Sequence, residues 1–141
     1  MTQKKEAFYS VRKIALDLLI EIMEKEAFCD KCLHQALDTY DLEQRDKGFL
    51  MRLVEGTVER CIELDYVIDQ FSKVKVKKMK PVIRNILRMA CYQIFYMDQI
   101  PDSAACNEAV KLTIKRKMHN LKGFVNGVLR TVIRQKDRIV Y

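Results

Sequence analysis

The sequence predicts an all-α protein, a single compact bundle of about seven helices. Three observations carry that reading. Apolar side chains recur at i, i+3, i+4 and i+7 along most of the 141 residues, the stripe of helices buried on one side. The one segment that alternates like a strand, residues 72–80 (SKVKVKKMK), has no partner strand elsewhere. With 49% apolar residues, no internal repeat and no Gly/Ser linker, residues 1–141 fit one domain with a real core.

The first helix is expected over residues 5–24, with Phe8, Val11, Ala15, Leu18, Leu19 and Ile22 along one side. Lys4, Lys5, Arg12 and Lys13 crowd its beginning, where cations oppose the helix macrodipole and hint at an external anion. A shorter helix covers 30–40, with Leu33, Ala36 and Leu37 inward. Cys29 and Cys32 form a CxxC at its entrance. A zinc site needs a second ligand pair, and His34 and His119 stand alone; a redox CxxC belongs beside a βαβ pattern, which is absent. Both thiols are read as structural.

A long helix follows over 41–61, opened by the capping-box pattern Asp41-x-x-Gln44. Leu50, Leu53, Val54, Thr57, Val58 and Cys61 form its stripe, with Gly56 as a point of close contact. Residues 63–71 continue as a short helix on Leu64, Val67, Ile68 and Phe71. Residues 72–80, five of them lysine, read as a basic loop into the next helix, whose first turn Pro81 suits. Ile83, Ile86, Leu87, Ala90, Cys91, Ile94 and Phe95 then give a face wide enough for a central, nearly enclosed helix. Residues 97–101 break the pattern. Asp102 or Ser103 starts a helix running to about Lys117, where Ala104, Ala105 and Ala109 permit close packing. It ends in Lys115, Arg116 and Lys117, which suit the negative end of the helix dipole.

The last helix is expected over 120–139. Leu121, Phe124, Val125, Val128, Leu129, Val132 and Ile133 form its buried stripe, and Asn120 its N-cap. Lys122, Arg130 and Arg134 share the outward side. Gly123 and Gly127 each cost roughly 1 kcal/mol against alanine in a helix, which points to another backbone crossing closely there.

Charge separates the halves. Residues 1–70 hold 10 Lys/Arg against 15 Asp/Glu, whereas residues 71–141 hold 16 against 4. A strongly basic half implies a polyanion, either nucleic acid or an anionic membrane surface. No run approaches the roughly 18 apolar residues of a membrane span, and the N-terminus lacks the apolar segment of a secretory signal. Five cysteines, an odd count, favour reduced thiols and a cytoplasmic setting. The four glycines form no nucleotide fingerprint, and no Ser-His-Asp or Cys-His pairing is suggested. No catalytic residue, cofactor or metal is therefore assigned, and a binding module remains. Its candidate polyanion-binding residues are Lys115, Arg116, Lys117, His119, Lys122 and Arg130, extended by Lys4, Lys5, Arg12 and Lys13. Asn126 either reads a base edge or ribose, or holds a neighbouring segment. Tyr9, Tyr92 and Tyr96 are the available platforms for unpaired bases.

Three stretches, LKGFVNGVLR (121–130), ILRMACYQIFYMDQIP (86–101) and NEAV (107–110), resemble the NusB-like helical domain, and the match extends over nearly the entire chain. That resemblance implies an all-α RNA-binding fold found in two settings. One is a free-standing transcription antitermination factor that binds RNA with a small ribosomal protein. The other is the N-terminal domain of Sun/RsmB-type methyltransferases of small-subunit ribosomal RNA, which modify cytosine C5. Leu129-Arg130 with the basic tail 134–138, and Glu55-Gly56-Thr57-Val58 followed by Leu64-Asp65, are similar to the second setting, although Glu59 departs from the arginine expected there. In that setting the chain is a fragment. S-adenosylmethionine and the catalytic cysteines would belong to a C-terminal methyltransferase domain in cis, and this part would help grip ribosomal RNA.

Overall fold

The computed structural model describes residues 2–141, with side chains from Val11 onward. The expected contributions of Lys4, Lys5, Phe8 and Tyr9 lie outside the described side chains. Seven α-helices form: α1 (Thr2–Lys25), α2 (Cys29–Thr39), α3 (Gln44–Glu59), α4 (Cys61–Phe71), α5 (Pro81–Tyr96), α6 (Asp102–Lys115) and α7 (Lys122–Arg134). Three 3₁₀ turns accompany them at Val76–Lys78, His119–Leu121 and Lys136–Arg138. Among the described residues there is no strand. The chain divides into two compact units, Met1–Glu59 and Arg60–Tyr141.

In the first unit α1 packs against α2 and α3. Val11, Ala15 and Leu19 of α1, Leu33 and Ala36 of α2, and Leu50, Leu53 and Val54 of α3 are buried as the periodicity requires; Leu16 joins them, and the expected Leu18, Ile22, Leu37 and Val58 are half-buried. Gly56 is buried within α3. That helix begins at Gln44, so Asp41 precedes its first turn and no capping box closes; instead Lys47 N–H donates to Glu43 O at 2.9 Å.

In the second unit α5 packs against α4, α6 and α7. It is buried on almost every side from Ile83 to Ile94, Asn85, Arg88 and Gln93 included. A helix enclosed to that degree must satisfy its polar groups internally. Arg88 donates from Nε and Nη2 to the two oxygens of Asp65 at 2.7 and 2.9 Å, and from Nη1 to Asn85 Oδ1 at 3.1 Å. Asn85 Nδ2 and Gln93 Nε2 donate to carbonyls one turn back, Pro81 O and Met89 O.

Short connections make α5, α6 and α7 antiparallel neighbours, and one lysine fixes the register. Lys136, just past α7, reaches Asp102 Oδ2 at the start of α6 (3.4 Å) and lies over the ring of Phe95 near the end of α5 (6.0 Å). One end of the unit therefore gathers the finish of α5, the start of α6 and the finish of α7. The opposite end gathers the start of α5, the finish of α6 and the start of α7.

Candidate nucleic-acid interface

That opposite end is where the predicted cations converge. Residues 60–141 hold 17 Lys/Arg against 7 Asp/Glu. Lys115 closes α6, Arg116 is its C-cap, Lys117 turns the chain, His119 sits in the 3₁₀ turn and Lys122 opens α7. Lys115, Lys117, His119 and Lys122 are exposed, and Arg116 is half-buried. No carboxylate among the described residues pairs with Lys117, His119 or Lys122.

The turn has a defined backbone. Lys117 adopts φ +62°, the left-handed region normally given to glycine after a helix. Its N–H donates to Ile114 O at 2.9 Å while Met118 N–H donates to Thr113 O at 3.0 Å. This pair of bonds is the Schellman closure of α6, made with lysine at the position where glycine is cheapest.

Three expectations about α7 are corrected. Asn120 does not cap it: the residue lies in the preceding 3₁₀ turn, and Leu121 stands at the cap position without a side-chain bond. The helix runs Lys122–Arg134, shorter than 120–139, because residues 136–138 close into a separate 3₁₀ turn. Its first turn holds no acid. The positive end of α7 is consequently open beside exposed Lys122, a setting that favours an anion. Nor does another backbone cross at Gly123 and Gly127. Both are exposed, and a Cβ added at either meets nothing within 4 Å. Of the expected stripe, Val125, Val128, Leu129 and Val132 are enclosed, whereas Leu121, Phe124 and Ile133 are half-buried.

Arg130 is exposed two turns further along α7, and its Nε donates to Asn126 Oδ1 at 3.3 Å. The same oxygen accepts from Cys106 Sγ of α6 at 3.4 Å, so Asn126 ties α6 to α7 and orients Arg130. Burial pushes the Cys106 thiol up, against the opposing pull of Arg130.

Arg12 and Lys13 belong to α1, in the first unit. Arg12 was expected at the surface and is instead buried, its guanidinium 5.3 Å over the Phe49 ring. Its long stem and planar head pack within the first unit, which removes it from a solvent-facing patch. Lys13 is exposed on α1. Tyr92 is buried, stacked on Tyr96 with centroids 5.3 Å apart. The Tyr96 hydroxyl bonds the Glu63 carboxylate, and Arg60 covers its ring at 4.8 Å. Neither tyrosine is an open stacking platform. Cys29 and Cys32 are free, and burial raises Cys29, with Glu55, Asp30 and Cys32 adding to the effect. A thiol pushed upward is a poor thiolate source.

No helix among the described residues is long and apolar enough to cross a membrane. A profile described as the NusB family matches residues 9–134. The probable ribosomal RNA small subunit methyltransferase B of Bacillus subtilis is 38% identical over 126 residues, covering 89% of this chain and 28% of that protein. The chain thus spans under a third of the methyltransferases it matches, the Synechocystis one (33% identical) included. The transcription antitermination protein NusB of Acetivibrio thermocellus is 31% identical over 126 residues, covering 89% of this chain and 87% of its own length. Among solved structures, T. maritima NusB superimposes with a TM-score of 0.80 at 24% identity, covering 90% of each chain. A structure of the antitermination factors NusB and NusE with double-stranded RNA gives 0.82 at 18% identity, over 92% of this chain and 97% of the other. At those identities the superpositions speak to the fold.

Proposed function

We propose, taking as premise that this chain belongs to the NusB family, that it binds RNA in the cytoplasm without catalysing a reaction and works beside a protein partner. The observation that carries the reading is the α6–α7 junction, where exposed Lys117, His119 and Lys122 have no carboxylate partner among the described residues and lie beside the uncapped N-terminus of α7. Lysine and arginine on a rigid helical frame neutralise phosphates and release counterions, so affinity falls steeply with salt. The antitermination setting is supported by the NusB proteins among the relatives, one of them 31% identical over 126 residues. A NusE-type ribosomal protein is the partner it implies.

A second reading, the N-terminal part of a ribosomal RNA methyltransferase, is favoured by the 38% identity to the Bacillus subtilis protein. There the RNA is ribosomal, and S-adenosylmethionine would be held by a C-terminal domain in cis. The transcript beyond the Tyr141 codon separates the two: a stop codon supports the first, and an open frame into a methyltransferase supports the second.

The RNA reading is tested by titrating binding against salt. A slope of about −0.7 per phosphate contact on single strands is expected. Replacing Lys115, Arg116 and Lys117 together by alanine should weaken binding alike across RNA sequences. No binding at low salt, or a flat slope, would leave only a protein-docking role.

A further inference from the structure

Residues 72–80 were legible in the sequence only as a basic loop. The structure shows a braced segment that projects its lysines. Val76 and Met79 are buried, whereas Lys73, Lys75, Lys77, Lys78 and Lys80 are all exposed. The brace is polar as well as apolar. Val76 N–H donates to Asp69 Oδ1 at 2.8 Å, and Ser72 Oγ both donates to Val74 O (2.6 Å) and accepts from Val74 N–H (3.2 Å). Arg84 Nη1 reaches back to Lys77 O and Met79 O at 3.4 and 3.5 Å.

The charge there is nearly uncompensated. Lys75 Nζ donates to a carbonyl, Asp69 O at 3.2 Å. The Asp69 carboxylate is the acid at the segment's base. None of Lys73, Lys77, Lys78 and Lys80 pairs with a carboxylate among the described residues. The segment also runs straight into α5. Lys80 is the N-cap, no side chain caps the helix, and its first turn holds no acid. Ammonium groups packed beside the positive end of a 16-residue helix repel both one another and the macrodipole. The folded chain carries that cost unless a polyanion offsets it.

The antiparallel arrangement fixed by Lys136 puts the start of α5 at the same end of the unit as the α6–α7 junction. From these observations we infer that residues 72–80 are a second phosphate-binding segment, and that one RNA strand runs across it and the α6–α7 junction. This rests on the RNA-binding reading above. RNA fits better than an anionic membrane surface, since Val76 and Met79 point inward and Val74 is the only apolar side chain of the segment left exposed, too little apolar area to insert between lipids.

The test uses the whole chain and a fluorescein-labelled oligouridylate of about 20 nucleotides. A loop variant replaces Lys73, Lys75, Lys77, Lys78 and Lys80 by glutamine, keeping Val76 and Met79; a junction variant replaces Lys115, Arg116 and Lys117 likewise. Once the loop no longer neutralises three or more phosphates, affinity at about 50 mM salt falls at least tenfold and the salt slope shallows by about 2. Cross-linking of wild-type chain to 4-thiouridine-substituted oligomer, mapped by mass spectrometry, places cross-links within 72–80 whether or not the variant melts normally. If the loop variant binds as wild type and no cross-link falls in the segment while the junction variant is weakened, the inference is overturned and the RNA reading stands. Wild-type binding by both variants overturns both. A loop variant that loses binding only to phosphatidylglycerol vesicles overturns the inference in favour of a membrane.

Discussion

Lys117 places stability and binding in opposition, so one substitution should move them in opposite directions. At φ +62° a lysine carries a left-handed penalty of roughly 1–2 kcal/mol that glycine does not. Glycine gives back about 0.4–1 kcal/mol through the freedom of the unfolded chain, and about 0.3 kcal/mol of dipole interaction at the end of α6 is lost. Lys117→Gly should therefore stabilise the fold by about 0.5 kcal/mol, a rise of about 2 °C in Tm. The same change removes one phosphate contact. At about 0.7 decades of affinity per decade of salt, counted from 1 M down to about 50 mM, the loss is about eightfold. Lys117→Gln is the control, because it removes the charge and keeps the strained backbone. Thermal denaturation and fluorescence anisotropy with oligouridylate read the two effects. A lower Tm for the glycine variant would refute the Schellman assignment; unchanged affinity in both would remove Lys117 from the interface.

Three further outcomes are expected. Arg88→Ala strands the Asp65 carboxylate and Asn85 beside a buried helix and should cost about 3 kcal/mol in urea unfolding; less than about 1 kcal/mol would show that the pair is solvated. Gly127→Ala fills open space on an exposed helix face, so it should raise stability by about 0.5–1 kcal/mol, whereas a close backbone crossing would lower it. Tyr96 and Cys91 are both pushed up to about 12, chiefly by burial, with Glu63 accepting a hydrogen bond from the tyrosine hydroxyl. The folded chain then keeps protons that the unfolded chain releases from their ordinary values of 10.0 and 9.0 upward. Their contribution to stability is whole below pH 9 and is lost as pH rises toward 12. Tyr96→Phe should flatten the fall of the urea midpoint above about pH 10, and a midpoint with the wild-type pH dependence would contradict this.

The reach of the sequence is clearest in α5. Its apolar face predicted a central helix, yet the pattern said nothing of how Arg88 is satisfied, because Asp65 lies 23 residues away. Local signals near helix ends proved weaker. Asp41 and Asn120 have the right chemistry for caps, but the first turns of α3 and α7 form where their apolar stripes engage, three and two residues later. The glycines of α7 misled for a similar reason. A helix tolerates them for the sake of a crossing backbone or of nothing at all, and only neighbours distant in the chain decide which.

Periodicity and charge by themselves determined the all-α class, the order of the helices, the buried stripes and the basic second half, since each follows from residues a few positions apart. Which cations keep company was decided by the tertiary structure. Arg12 was drawn over Phe49, Tyr96 was closed off by Glu63 and Arg60 with buried Tyr92 stacked on it, and Asn126 was recruited to join α6 to α7. The antiparallel return of α6 and α7 along α5 set residues 72–80 and 115–122 at one end of the same unit. Segments so far apart in the chain acquire a common electrostatic face only when packing brings their ends together, and no spacing rule within a helix carries that information.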